Sequence, residues 1–136
     1  MLRAALCYLL AFLMIAVGAL HFVAENFFTQ IVPPFLPAPR ALVWISGIAE
    51  ILLGAALVPA RTRRFAGYGL VALFILVFPA NIYMAVAEVQ LQGMPSWFEQ
   101  PSPFWLYMRL PFQFVFIAWA LWASARAERV VPARAG

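Results

Sequence analysis

The chain contains no lysine, no aspartate, one histidine and one cysteine, and charged residues fill only 10% of its 136 positions. Soluble domains carry about 25% charged residues. The shortage excludes an ordinary soluble globule, a disordered chain and a nucleic-acid-binding domain. The lone Cys7 excludes an internal disulfide, a CxxC redox pair and a cysteine-based zinc site within one chain; it reads as a small apolar residue inside a helix. One histidine with a few glutamates is a poor zinc or iron site, and a haem with two histidine axial ligands is excluded, so no metal is expected. There is no glycine-rich nucleotide loop and no Ser–His–acid set. Catalysis by this chain alone is therefore not expected, and no catalytic residue is assigned.

What is abundant is apolar surface: 66% of the residues, with a mean hydropathy of +0.93. Residues 4–23, 41–60, 65–87 and 104–125 are each long enough to cross about 30 Å of hydrocarbon. Backbone amides in lipid must be paired within the chain, so these segments are predicted as helices. The expectation is an all-α, integral-membrane four-helix bundle, with residues 1–136 forming a single transmembrane domain. Arg3 and Val17-Gly18-Ala19 also fit a cleavable signal peptide, but the apolar run exceeds a usual signal core. It is read as a span. Seven of the nine arginines then share a side, against Arg40 on the other and Arg109 within a span. The positive-inside rule places both termini in the cytoplasm of a multi-pass inner-membrane protein, and explains the basic charge without a nucleic-acid partner.

Arg61-Thr62-Arg63-Arg64 forms a tight basic hairpin. The other two links, residues 25–40 and 89–103, are rich in proline and are predicted as turns and extended caps at the aromatic-rich interface. Glu25, Glu88 and Glu99 are expected to be solvated there. Ionisable residues within spans are costly and mark functional sites by default. His21 lies near the outer end of the first span and Glu50 near the middle of the second. Asn81 follows Pro79 in the outer third of the third, and Arg109 and Gln113 share a face of the fourth. All five fall in the outer half or near the midplane, so they are expected to form one inward-facing polar cluster. Glu50 and Arg109 would be its ion pair, and His21, Asn81 and Gln113 would complete its hydrogen bonds. Such a cluster serves either as interhelix glue or as a ligand site. Ser46, Gly47, Gly54 and Ala55 flank Glu50 and permit close helix approach. Pro79 and Pro111 would bend their helices beside the cluster.

Gly18-Ala19-Leu20-His21-Phe22, Ser46-Gly47-Ile48-Ala49-Glu50-Ile51-Leu52-Leu53-Gly54 and Phe78-Pro79-Ala80-Asn81-Ile82-Tyr83-Met84 together resemble the DoxX-like family. The resemblance covers roughly residues 4 to 123. It implies a four-helix inner-membrane protein and a link to redox complexes, since relatives include subunits associated with thiosulfate:quinone oxidoreduction and with oxidative-stress complexes. It brings no catalytic set, and the lack of paired cysteines departs from thiol-using relatives. The reading that follows is an accessory or subunit of a quinone-linked redox system. Its partners would be the lipid bilayer, redox-complex subunits or a second copy of itself, with quinone as the one candidate cofactor. The alternative is a small-molecule binding or transport protein using the same intramembrane pocket.

Overall fold

The computed structural model describes residues 1–87, 89 and 102–125. Glu88, Glu99 and most of the second proline-rich link lie outside the described residues, as do Arg126, Glu128, Arg129 and Arg134. The described residues form five helices and no strand: α1 (Leu2–Val23), α2 (Glu25–Gln30), α3 (Pro39–Leu57), α4 (Arg63–Val86) and α5 (Pro103–Ser124). All but α2 are long and apolar enough to cross a membrane. Their ends fall within three residues of the spans predicted from hydropathy. α3 and α5 start on Pro39 and Pro103, where the missing N–H removes no helical hydrogen bond. α4 and α5 run through Pro79 and Pro111 without breaking.

The four long helices pack as two antiparallel pairs, α1 with α3 and α4 with α5, joined mainly where α3 meets α4. Small residues set both pairings. A Cβ built on Gly18 would lie 2.7 Å from the carbonyl oxygen of Gly47, and one on Gly47 would lie 2.7 Å from His21 Cβ. Neither position admits a side chain at this helix separation. In the other pair, a Cβ on Gly67 would lie 2.7 Å from the Ala120 carbonyl oxygen. Between helices in lipid, such close backbone approach is the principal source of association.

One end of the bundle carries Arg3, Arg61, Arg63 and Arg64, and there α3 and α5 terminate. Arg63 donates from Nε to the Leu57 carbonyl at 2.9 Å and from Nη2 to the Val58 carbonyl at 2.9 Å. Thr62 Oγ1 donates to the Ala56 carbonyl at 2.7 Å. Arg3 Nη2 donates to the carbonyls of Trp122 and Ala125. Cations there satisfy orphan carbonyls and oppose the negative ends of two helix dipoles. The apolar core at this end includes Cys7, Leu10, Met14, Leu57, Leu70, Phe74 and Ala120, beside the buried Ser124, whose Oγ donates to the Leu121 carbonyl.

At the opposite, proline-rich end, the first link departs from the expectation of turns and extended chain. Residues 25–30 are free of proline and form α2, with Thr29 Oγ1 donating to the Glu25 carbonyl. α2 places Phe27 and Ile31 in a second apolar core with Met84, Ala85 and Leu106, so it bridges the two helix pairs. Glu25 is not simply solvated. It is salt-bridged to Arg40 and accepts a hydrogen bond from Trp44 Nε1 at 3.2 Å, which fastens α2 to the start of α3. Outward-facing side chains include Phe12, Ile45, Leu52, Phe65, Leu76 and Phe114. A bundle that buries small residues and exposes large apolar ones is suited to hydrocarbon, not water.

Gly47→Ala is expected to destabilise the bundle by about 1–3 kcal/mol through overpacking. Gly69→Ala, whose added Cβ meets only the mobile end of Leu53, is expected to stay within about 0.5 kcal/mol or gain stability from helix propensity. Equilibrium unfolding in mixed micelles measures both.

Candidate functional site

The polar residues lie between the two apolar cores. Glu50 is the twelfth residue of α3 and His21 the twentieth of α1, so counting along each span separately would put them at different depths. They meet because α3 begins beside α2, beyond the end of α1, and the Gly18–Gly47 contact fixes that register. Both side chains are buried, with 6% of Glu50 and 7% of His21 exposed. His21 is therefore not a water-facing interface residue. Its Nδ1 lies 2.9 Å from the Val17 carbonyl, one turn earlier, and the imidazole stacks on Phe28 with ring centroids 3.8 Å apart.

A carbonyl only accepts, so the proton on His21 Nδ1 is directed to Val17. Glu50 Oε2 lies 3.4 Å from the same nitrogen and receives no hydrogen bond from it. Among the described residues, Glu50 Oε2 and Trp119 Nε1 are the buried side-chain polar atoms without a partner. With Nδ1 protonated, neutral His21 keeps its Nε2 lone pair as an acceptor.

The facing pair supplies the amides. Gln113 Nε2 donates to the Phe74 carbonyl at 2.8 Å, and Gln113 Oε1 accepts from Asn81 Nδ2 at 3.1 Å. Pro79 removes the amide donor that would bond the Ile75 carbonyl. Gln113 bonds the carbonyl one residue earlier. This two-bond chain ties α5 to α4, and each such bond contributes about 0.6–2 kcal/mol between helices in lipid. The second Nδ2 proton of Asn81 has no partner among the described residues.

Between the walls lies a cavity of about 520 Å³. His21, Ser46 and Glu50 line one side, and Asn81 and Gln113 the other. Met14, Leu73, Phe74 and Phe116 lie toward the arginine end, whereas Phe28, Ile31, Val32, Pro33 and Leu36 roof it at the proline-rich end. The volume falls within the range of about 300–1,000 Å³ usual for small-molecule sites, as does the mainly apolar lining with a few convergent polar groups. Sequence reasoning missed the stacking of Phe28 on His21, the Val17 and Phe74 carbonyls, and α2. The only signal for α2 was the proline-free run 25–30 in a link otherwise rich in proline and aromatics.

Arg109 is the exception to the expected cluster. It does not pair with Glu50. Its Nη1 lies 3.1 Å from Met84 Sδ and its guanidinium carbon 5.9 Å from the Phe27 ring centroid. The reason is register: Arg109 is one turn closer than Gln113 to the proline-rich end, where it reaches Met84 and Phe27 of the second apolar core. Among the described residues no three His, Cys, Asp or Glu side chains gather into a metal-ligating group.

The fold and site define a four-helix bundle, able by length and composition to cross a membrane, with a polar cavity between its helix pairs. The chain belongs to the family described as Domain of unknown function (DUF8561), whose model matches residues 10–124. Neither the curated proteins nor the solved structures yield a match.

A double-mutant cycle separates the observed pairing from the expected one. Glu50 and His21 are expected to couple by about 0.5–3 kcal/mol in unfolding free energy, as contacting residues do. Glu50 and Arg109 are expected to be additive within about 0.5 kcal/mol.

Proposed function

We propose that the protein is an integral inner-membrane binding protein for a small lipid-soluble molecule, held in the cavity between the helix pairs. In this reading it serves a quinone-linked redox system as an accessory subunit, alone or as a homo-oligomer, with both termini in the cytoplasm. The observation that carries the binding reading is the buried Glu50 Oε2, at ion-pair distance from His21 but without a hydrogen bond, on the wall of a ligand-sized cavity. A buried polar atom without a hydrogen bond is costly in a largely apolar setting. Gln113, in contrast, is hydrogen-bonded through both its amide atoms. A ligand hydroxyl bonded to Glu50 would remove that cost.

The donor set suits a quinone. Asn81 retains an N–H for a ligand carbonyl, and Glu50 Oε2 and the His21 Nε2 lone pair accept from a ligand hydroxyl. Such a group presents carbonyls in one oxidation state and hydroxyls in the other, and these residues can bind and orient both. Phe28, held against His21, offers an aromatic face. The redox assignment rests on the resemblance of the 18–22, 46–54 and 78–84 motifs to the DoxX-like family, and the orientation on the arginine distribution.

The test is extraction of protein purified in mild detergent, followed by mass spectrometry of the bound organic molecules. Wild type is expected to carry a redox-active aromatic lipid. Glu50→Leu is expected to lose it by about tenfold or more, equivalent to ~1.4 kcal/mol, and Glu50→Gln to keep an intermediate amount. No bound molecule in wild type, or equal amounts in wild type and Glu50→Leu, would contradict the reading.

A further inference from the structure

We propose that the cavity is entered sideways through a gap between α3 and α4, and that its ligand is an amphiphile with a compact hydrogen-bonding head and an apolar tail lying in that gap. This rests on the reading that the cavity binds a small molecule, and it specifies the ligand's shape and the phase it comes from.

The exposure of the lining residues locates the mouth. Among the described residues around the cavity, four are exposed: Leu42 and Ile45 on α3, and Leu76 and Pro79 on α4. Ile45 is 64% exposed and Leu76 75%. The rest are buried or half-buried, including the roof residues Ile31 and Pro33. On the α1 and α5 sides the lining residues Met14, Val17, His21, Gln113 and Phe116 are buried or half-buried. Gly18 against Gly47 joins α1 to α3, and Gln113 on the Phe74 carbonyl joins α5 to α4. α3 and α4 do meet near their hairpin, where Leu53 lies over Gly69. Antiparallel counting from that contact sets Ile45 level with Val77 and Leu42 level with Ala80. At that level the side chains border a cavity instead of packing together.

The chemistry of the mouth identifies the phase. All four exposed residues are apolar, and the opening lies along the sides of two helices suited to hydrocarbon. A water-soluble ligand would meet neither a charge nor a hydrogen-bonding group there. A lipid-phase molecule would pass its head between Ile45 and Leu76 toward Ser46, Glu50 and Asn81. Its tail would stay against the mouth, where added methylenes remain in contact with apolar side chains.

The test uses protein in lipid nanodiscs and two probes: 1,4-benzoquinone bearing a decyl chain, and the same ring bearing a methyl group. Affinities are expressed per mole of lipid, so that partitioning cancels. Wild type is expected to bind the decyl compound about tenfold or more tightly than the methyl compound. The double variant I45W/L76W fills the mouth and is expected to erase that advantage, weakening the decyl compound more than the methyl compound. A diazirine near the ring end of the tail, used on wild type, is expected to label residues 42–45 and 76–79. Labelling of the roof, residues 31–36, with no effect of I45W/L76W, would overturn the lateral entry and leave the binding reading standing. Failure of both compounds to bind wild type would overturn the binding reading and the lateral entry together.

Discussion

The close approach of α1 and α3 at Gly18 and Gly47 governs the rest of the site. There the Gly47 carbonyl and His21 Cβ fill the places where side chains would stand. That approach fixes the antiparallel register, and the register brings a residue near the end of one helix level with one well inside another. His21 then sits against Glu50, with its ring proton committed to its own backbone. A separation greater by the width of a methyl group would part the two side chains and loosen the wall they form.

The polar groups divide by how completely they are bonded. On α4 and α5, Gln113 bonds both Asn81 and the Phe74 carbonyl, and this wall needs no ligand to be stable. On α1 and α3, the His21 Nδ1 proton is directed to the Val17 carbonyl, and Glu50 Oε2, though 3.4 Å from that nitrogen, is left without a hydrogen bond. The first wall is hydrogen-bonded within the protein, and the second leaves a Glu50 oxygen without a hydrogen bond. Two apolar cores hold the walls apart: one spans all four long helices at the arginine end, and the other is built around α2 at the opposite end. The cavity lies between these cores, and among the described residues its exposed lining belongs to α3 and α4.

Hydropathy alone located the four long helices, because lipid imposes both their length and their composition. Arginine placement pointed to one end of the bundle, where Arg3 and Arg63 cap helix C-termini. Four of the five predicted cluster residues line one cavity for a related reason: polar groups avoid hydrocarbon and gather inside. Pairing was not legible. Opposite charges suggested Glu50 with Arg109, but pairing depends on register between helices far apart in sequence, which single-span depth counting does not supply. α2 was also missed, because six residues are too few for a periodic pattern and the prolines beyond dominate the segment.

The central claim is an intramembrane cavity that is roofed against water and open to lipid. Thiol labelling of a Ser46→Cys variant tests it most directly, since Ser46 lines the cavity and the native Cys7 is fully buried. In intact membranes, an uncharged lipid-soluble maleimide should label the new cysteine, and a charged, membrane-impermeant thiosulfonate applied to both faces should not. Rapid labelling by the charged reagent would contradict the account.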